Sequence, residues 1–398
     1  MKHNLLVALK FNNFRKVALL LLLCQLSAGL VNPFISLFLS QSIHASNSQI
    51  GFYVILNSLF AMFINFWIAN ISDKLGERKV FIGLAIVSAI IGYMIYVHEK
   101  SYVVILLISI SIIGVSTTLT SQIFAYAKEL FCYDDKSNDY MVSLLRIVVS
   151  LAWVGSPIMG AYINNKYNYS GLFLCCSIGY FFALLILLLC FGLKRDGNVK
   201  VEQEINKSVE IYGKSAIVSY FLVFSFLQSI NTVLNTVIPL YVTETLNNSN
   251  VFVGYIASFS AIVEIPITIY LVKMSLKVDI KKLIHLGMMG GLTFLIFLIF
   301  IKNIYLIIFI HIFKAIFVSS YMALGITFFQ NMISKRYGFS TVLYTNTTRM
   351  GNIFGGFITS ITGKNYIKIF LILSILCILS QIIYSITNLF ASKNSKFI

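Results

Sequence analysis

The sequence predicts an all-α integral membrane protein with twelve transmembrane helices in two pseudo-symmetric six-helix bundles. Three observations predict it. Of 398 residues, 58% are hydrophobic and only 11% are charged, against about 25% charged in a typical soluble domain. The apolar residues gather into segments of about 20, the length needed to cross a hydrocarbon core. A shift of 203 residues then sets rare polar residues of the first half opposite those of the second.

The segments fall at roughly 17–41, 50–70, 79–97, 102–128, 140–164, 170–193, 215–242, 251–273, 282–301, 304–331, 340–363 and 367–390. Near the start, Lys10, Arg15 and Lys16 precede a Leu run ending at Cys24, as in a signal peptide. The apolar stretch continues to about Leu39, which is long enough to span, so an uncleaved first helix is expected. Lys194 to Lys214 alternates Lys, Glu and Asn without apolar periodicity. It reads as a solvated cytoplasmic linker, 194–214, between an N-terminal bundle, 1–193, and a C-terminal bundle, 215–398.

Charge sets the orientation. With the N-terminus, the even-to-odd loops and the C-terminus on one side, that side holds 22 Lys and Arg and the other holds 5. Both termini are therefore expected in the cytoplasm. The net charge of +16 does not point to nucleic acid, because the basic residues lie between apolar segments rather than on one soluble face. Five of the six cysteines sit inside apolar segments and none has CxxC spacing. Packing is expected of them, with no metal site and no cofactor.

The 203-residue register pairs Gln25 with Gln228, Asn32 with Asn235, Gly51 with Gly254, Arg146 with Arg349 and Gly160 with Gly363. Shared Leu and Ile would mean little in this composition, but matched rare polar types suggest a duplication. A parallel repeat of two halves leads one to expect a substrate site near mid-membrane at their interface. Pro33, Pro157, Pro239 and Pro266 all fall inside segments. They are either static bends or flexing points.

Two stretches have the character of motifs. Ser72 to Lys79 (SDKLGERK) joins the second and third segments; Gly76 permits a tight turn, and Asp73 can accept from basic neighbours or cap the next helix. It resembles the cytoplasmic gating-loop signature of the major facilitator superfamily, which implies that role for Asp73, Gly76, Arg78 and Lys79. Glu77 interrupts the basic run, and Ala69 stands where that family often has Gly. Trp153 to Gly160 (WVGSPIMG) resembles the Gly/Pro motif of exporters in that superfamily. Close helix packing is the plainer meaning of its small residues.

Other stretches narrow the resemblance: Gln122 to Glu129, Leu145-Arg146 with Ser150 to Trp153, Glu264 to Pro266, Phe329-Gln330, and Leu343 to Arg349. Together they are similar to the bacterial sugar efflux transporter family, over nearly the whole chain. The resemblance implies a secondary active transporter of the bacterial cytoplasmic (inner) membrane, exporting sugars or glycosides against protons by alternating access. Its partners would be a small-molecule substrate, protons and the lipid bilayer, and it would act as a monomer. Multidrug export is the alternative, since the chain has 34 Phe. A membrane transferase is a third class, for which no HExxH, GxSxG or Walker A pattern is present.

The residues themselves fit a polyhydroxylated ligand. Amides donate and accept, and rings stack on sugar faces. Within segments stand Asn32, Asn57, Gln122, Gln228, Asn231, Asn235, Gln330 and Asn346, with Trp153, Tyr126 and Phe329 near them. Away from the segment ends stand five charged or ionisable residues: Arg146, Glu264, His311, Lys314 and Arg349. Each costs about 2.5–3.5 kcal/mol on insertion scales and is usually turned to a bundle interior or a watery cavity. Arg146 and Arg349, paired by the repeat, are expected at the central pathway; bonds to free carbonyls near kinks are the other option. His311 reads as a hydrogen-bonded packing residue, and Lys314 either pairs or faces the cavity. Glu264 is the one carboxylate well inside a segment and the candidate for proton coupling; a fixed bond to Arg146, Arg349 or Lys314 is the alternative.

Overall fold

Backbone amides cannot be left bare in hydrocarbon, so an apolar segment satisfies them internally as a helix. The computed structural model follows this rule throughout. It describes residues 12–130, 135–190, 213–332 and 337–394, with no strand among them. The side chains of Asp73 and Arg146 lie outside the described residues. So does 194–212, nearly all of the linker stretch.

In chain order the first elements are α1 Asn12–Val31, a 3-10 turn Asn32–Phe34, α2 Ile35–Gln41, α3 Asn47–Leu75 and α4 Arg78–His98. The next segment is broken into α5 Tyr102–Ile108, a π turn Ser109–Ile113, α6 Gly114–Ser116 and α7 Leu119–Leu130. Then come α8 Asp135–Cys190, α9 Lys214–Leu240 with a π turn Tyr241–Thr245, and α10 Asn250–Met274. The chain closes with α11 Ile280–Phe300, α12 Ile304–Met332, α13 Tyr337–Thr362 and α14 Tyr366–Asn394.

Each of the twelve expected segments has a helical counterpart, and ten stretches among the described residues are long and apolar enough to cross a membrane. Two differences have clear causes. The fifth and sixth segments form one stretch, α8, in which the backbone leaves the helical region only at Asn168 (φ 55°, ψ −171°). Asn tolerates positive φ, so a single residue turns the chain where a loop was expected. The 26-residue α13 is absent from the ten, because Asn346, Thr347, Thr348 and Arg349 dilute its apolar character.

Helix ends follow local chemistry. Gly76 (φ 67°) ends α3, its N–H bonding Ser72 O at 2.9 Å, and Gly363 (φ 63°) ends α13. Only Gly adopts this conformation freely. Asp279, which the 203-residue shift sets opposite Gly76, caps α11 by accepting from Lys281 N at 2.9 Å.

By contacts the chain divides into two compact units: Met1–His44 with Leu59–Glu202, and Ala45–Ser58 with Gln203–Ile398. The opening of α3 thus clusters with the second unit. There, Asn47 Nδ2 donates to Gly363 O at 2.5 Å and Ser48 Oγ to Ser360 O at 2.6 Å. The first unit is centred on Phe38, Tyr93, Tyr96 and Phe173, with Phe38 edge-on to Phe173 at 4.7 Å. Tyr96 donates to Ile105 O at 3.0 Å, so its hydroxyl is satisfied. The second is centred on Phe224, Phe328, Phe329 and Tyr344. Elsewhere large apolar side chains such as Trp67, Phe66, Phe300 and Leu389 are exposed, a surface suited to hydrocarbon rather than water.

Candidate functional site

In the second unit, α9 and α13 lie close because α13 offers glycines. A Cβ at Gly351 would lie 2.5 Å from Gln228 Cβ and 2.6 Å from Ser225 O; one at Gly355 would lie 3.0 Å from Ser229 O. Small residues at this four-residue spacing make a groove for the facing helix. The approach brings polar groups together. Gln228 Nε2 donates to Asn352 Oδ1 at 3.4 Å, and Thr232 Oγ1 donates to the same oxygen at 2.6 Å. Gln228 Oε1 accepts from Tyr321 of α12 at 3.1 Å, and Asn231 lies close to that tyrosine. Gln228 and Asn231 are buried, which makes satisfied bonding a necessity rather than a bonus.

The charged part of the site lies on α10 and α12. Lys314 Nζ donates to Asn235 Oδ1 at 2.8 Å. Glu264 is the carboxylate that acts on Lys314 by charge, yet the two do not form an ion pair within 4.0 Å. Thr268 donates to Ser319 Oγ at 2.8 Å and Ser319 to Glu264 O at 3.4 Å, so α10 is tied to α12 beside the pair. His311, one turn before Lys314, is fully buried: Nδ1 meets Ile307 O at 2.7 Å and the ring packs edge-on to Phe294 at 5.0 Å. Its Nε2 has no partner among the described residues.

In the first unit the matching position is Gln25. Its Nε2 donates to Thr120 Oγ1 of α7 at 2.8 Å, and its Oε1 accepts from Trp153 Nε1 of α8 at 3.1 Å. The helices α1 and α8 meet at Gly29, which faces Ser156, and at Gly160, where a methyl would overlap Leu30 O. Within the Gly/Pro motif it is therefore Gly160 that permits close approach, while Gly155 faces open space.

A third cluster surrounds Gly76. Arg78 Nε pairs with Glu129 Oε1 at 2.6 Å, and Gln122 Nε2 donates to Ser72 Oγ at 3.1 Å. Arg78 reaches both Ser72 Oγ (3.3 Å) and Gln122 Oε1 (3.5 Å), while Lys79 sits over the Tyr126 ring at 5.6 Å. Gln122, expected among the ligand amides, thus joins the gating-loop residues.

The other expected residues are dispersed. Asn32 is exposed in the 3-10 turn, and Asn57 bonds back to Tyr53 O at 2.9 Å. Gln330 and Asn346 are half-buried. Arg349 is half-buried and has no bonded partner among the described residues. Of the ring candidates, Phe329 is fully buried and Tyr126 nearly so, which leaves neither face free; Trp153 is half-buried. The residues that sequence reasoning passed over are Tyr321, Asn352 and Thr232 in one unit and Thr120 in the other. Asn352 had a signal, an amide beside Gly351 inside a span; the others had none.

Long apolar helices that place amides, a lysine and a glutamate inside the spans define a polytopic membrane transporter. The chain belongs to the Major Facilitator Superfamily, whose model matches residues 17–230 and again 219–395. It is 25% identical to Sugar efflux transporter A of Escherichia coli (strain K12), over 85% of this chain and 86% of the relative. It is 22% identical to Sugar efflux transporter C of the same organism, over 85% and 86%. Among solved structures it resembles nucleoside transporter NupG, with TM-score 0.74 at 14% identity over 95% of this chain and 99% of that one.

Proposed function

We propose that the protein is a proton-coupled exporter of sugars or glycosides working by alternating access, with both termini cytoplasmic. The observation that carries the reading is the second-unit cluster: a carboxylate, Glu264, and an ammonium, Lys314, inside spans, near each other but not locked in contact, beside the amides of Asn235, Asn231 and Gln228. A carboxylate held by a short ion pair is fixed in its ionised form. One left outside such a pair can exchange a proton as water access changes. Among the described residues the charged group acting on Glu264 is Lys314. The names of the curated relatives support the substrate class.

In this reading Asn231, Asn235, Gln228, Gln330, Asn346, Asn32, Asn57, Trp153, Arg146 and Arg349 contribute to the substrate pathway, and Asp73, Gly76, Arg78 and Lys79 to the cytoplasmic gate. Multidrug export is the less supported reading, because the phenylalanines Phe224, Phe328 and Phe329 fill a core, each at most 4% exposed.

The test is flux of radiolabelled glycosides in proteoliposomes under an imposed pH gradient. Glu264→Gln keeps shape and hydrogen bonding but cannot titrate. Loss of uphill efflux with exchange retained supports the coupling role; full gradient-driven efflux in that variant refutes it.

A further inference from the structure

Trp153 is held in a way that neither of the other two candidate rings is. Around it on α8, Ile147, Leu151 and Ile158 are exposed at 46%, 59% and 40% and mark one side of the helix. At about 100° per residue, Trp153 stands about 200° round from Leu151, away from that side. Its indole N–H ends on Gln25 Oε1 at 3.1 Å, while the other end of the same carboxamide is engaged by Thr120 Oγ1 at 2.8 Å. Gln25 is 7% exposed, so it has little water to turn to instead. A flip of the amide would set its NH2 against the indole N–H, donor facing donor. Gly29 completes the seat: a Cβ there would lie 4.0 Å from Trp153 Cδ2.

We propose that Gln25 is a positioning residue for Trp153: it fixes the plane of the indole so that one ring face is presented for stacking against the apolar C–H face of a pyranoside. The proposal rests on the sugar or glycoside reading above. A ring already held in its binding orientation loses less freedom when the ligand arrives. Gln25 therefore acts on affinity rather than on turnover.

The chain has two tryptophans, and Trp67 is 70% exposed, far from this cluster in sequence. A Trp67→Phe protein makes Trp153 the sole reporter. In that background, time-resolved anisotropy should show faster local rotation of the indole in Gln25→Met than in the parent. Transport of radiolabelled methyl β-glucoside and methyl β-galactoside should show a KM raised about five- to tenfold, the scale of one lost hydrogen bond, with maximal rate within about twofold. The same Gln25→Met change made in a Trp153→Phe background should leave KM unaltered, because the N–H it serves is gone. If Gln25→Met fails to insert, Thr120→Val frees the far end of the carboxamide and should give the same pattern at smaller size.

Unchanged anisotropy overturns the proposal. An equal KM effect in both backgrounds also overturns it, since Gln25 would then only hold α1 to α7. If the parent transports neither glycoside, the proposal falls together with the sugar reading on which it rests. If the parent transports them and the double-variant comparison fails, the proposal falls alone.

Discussion

Asn235 takes the ammonium of Lys314 that a carboxylate would otherwise claim, and Glu264 is left at a distance. An amide costs less to bury than a second charge and still accepts from Lys, so the pair is kept near without being closed. Arg349 is the contrasting case, a half-buried guanidinium with no bonded partner among the described residues. Lys keeps the charge and loses the planar fork that grips paired oxygens. Arg349→Lys should therefore lower transport at least several-fold in inserted, stable protein, measured as initial flux per molecule; normal flux would show that the fork is not used. Asn352 is predicted to matter for stability. Asn352→Leu removes the acceptor of both Gln228 and Thr232 and should cost about 1–3 kcal/mol, read as a lowered unfolding temperature. The sequence exposed the charged residues because each is rare in its span. It hid Tyr321 and Asn352, because a bond between helices leaves no mark on the periodicity of either.

At the level of elements, contact between helices is set by glycine and serine more than by the larger side chains around them. A Cβ at Gly351 would meet Gln228 and Ser225 of α9. Gly351→Val should therefore spread α9 from α13 and cost about 1–3 kcal/mol as overpacking, whereas Gly155→Ala, facing open space, should leave thermal stability unchanged. Circular dichroism melts of the two variants would check the contrast. Most helices were legible because a span must be long and apolar. The one-residue turn at Asn168 was not, since Asn is common in loops and in tight reversals alike. The two π turns were not legible either, because widening one turn of helix leaves composition and length almost as they were.

For the whole chain, the asymmetry of 22 against 5 basic residues predicts both ends on one side of the membrane. A reporter fused after Ile398 and active only in the cytoplasm should be active; activity of a periplasm-dependent reporter would reverse the assignment. The two units also share a construction, since Gln25 and Gln228, 203 residues apart, each tie a first helix to two others. The π turn at Ser109–Ile113 bears on how far that likeness extends. The second-half segment α12 is unbroken α-helix from Ile304 to Met332. A π turn winds one extra residue into the same rise and rotates all later residues of its segment by about 100°. On the fourth segment Gln25 meets Thr120, while Gln228 meets Tyr321, whose strict 203-residue counterpart would be Thr118; the π turn accounts for one residue of that two-residue offset, and the helix breaks again between α6 and α7. The halves therefore agree in length and disagree in phase along this one helix. A substitution copied from one half to the other by counting residues would land on the matching face of α1 and α9, and on the wrong face here.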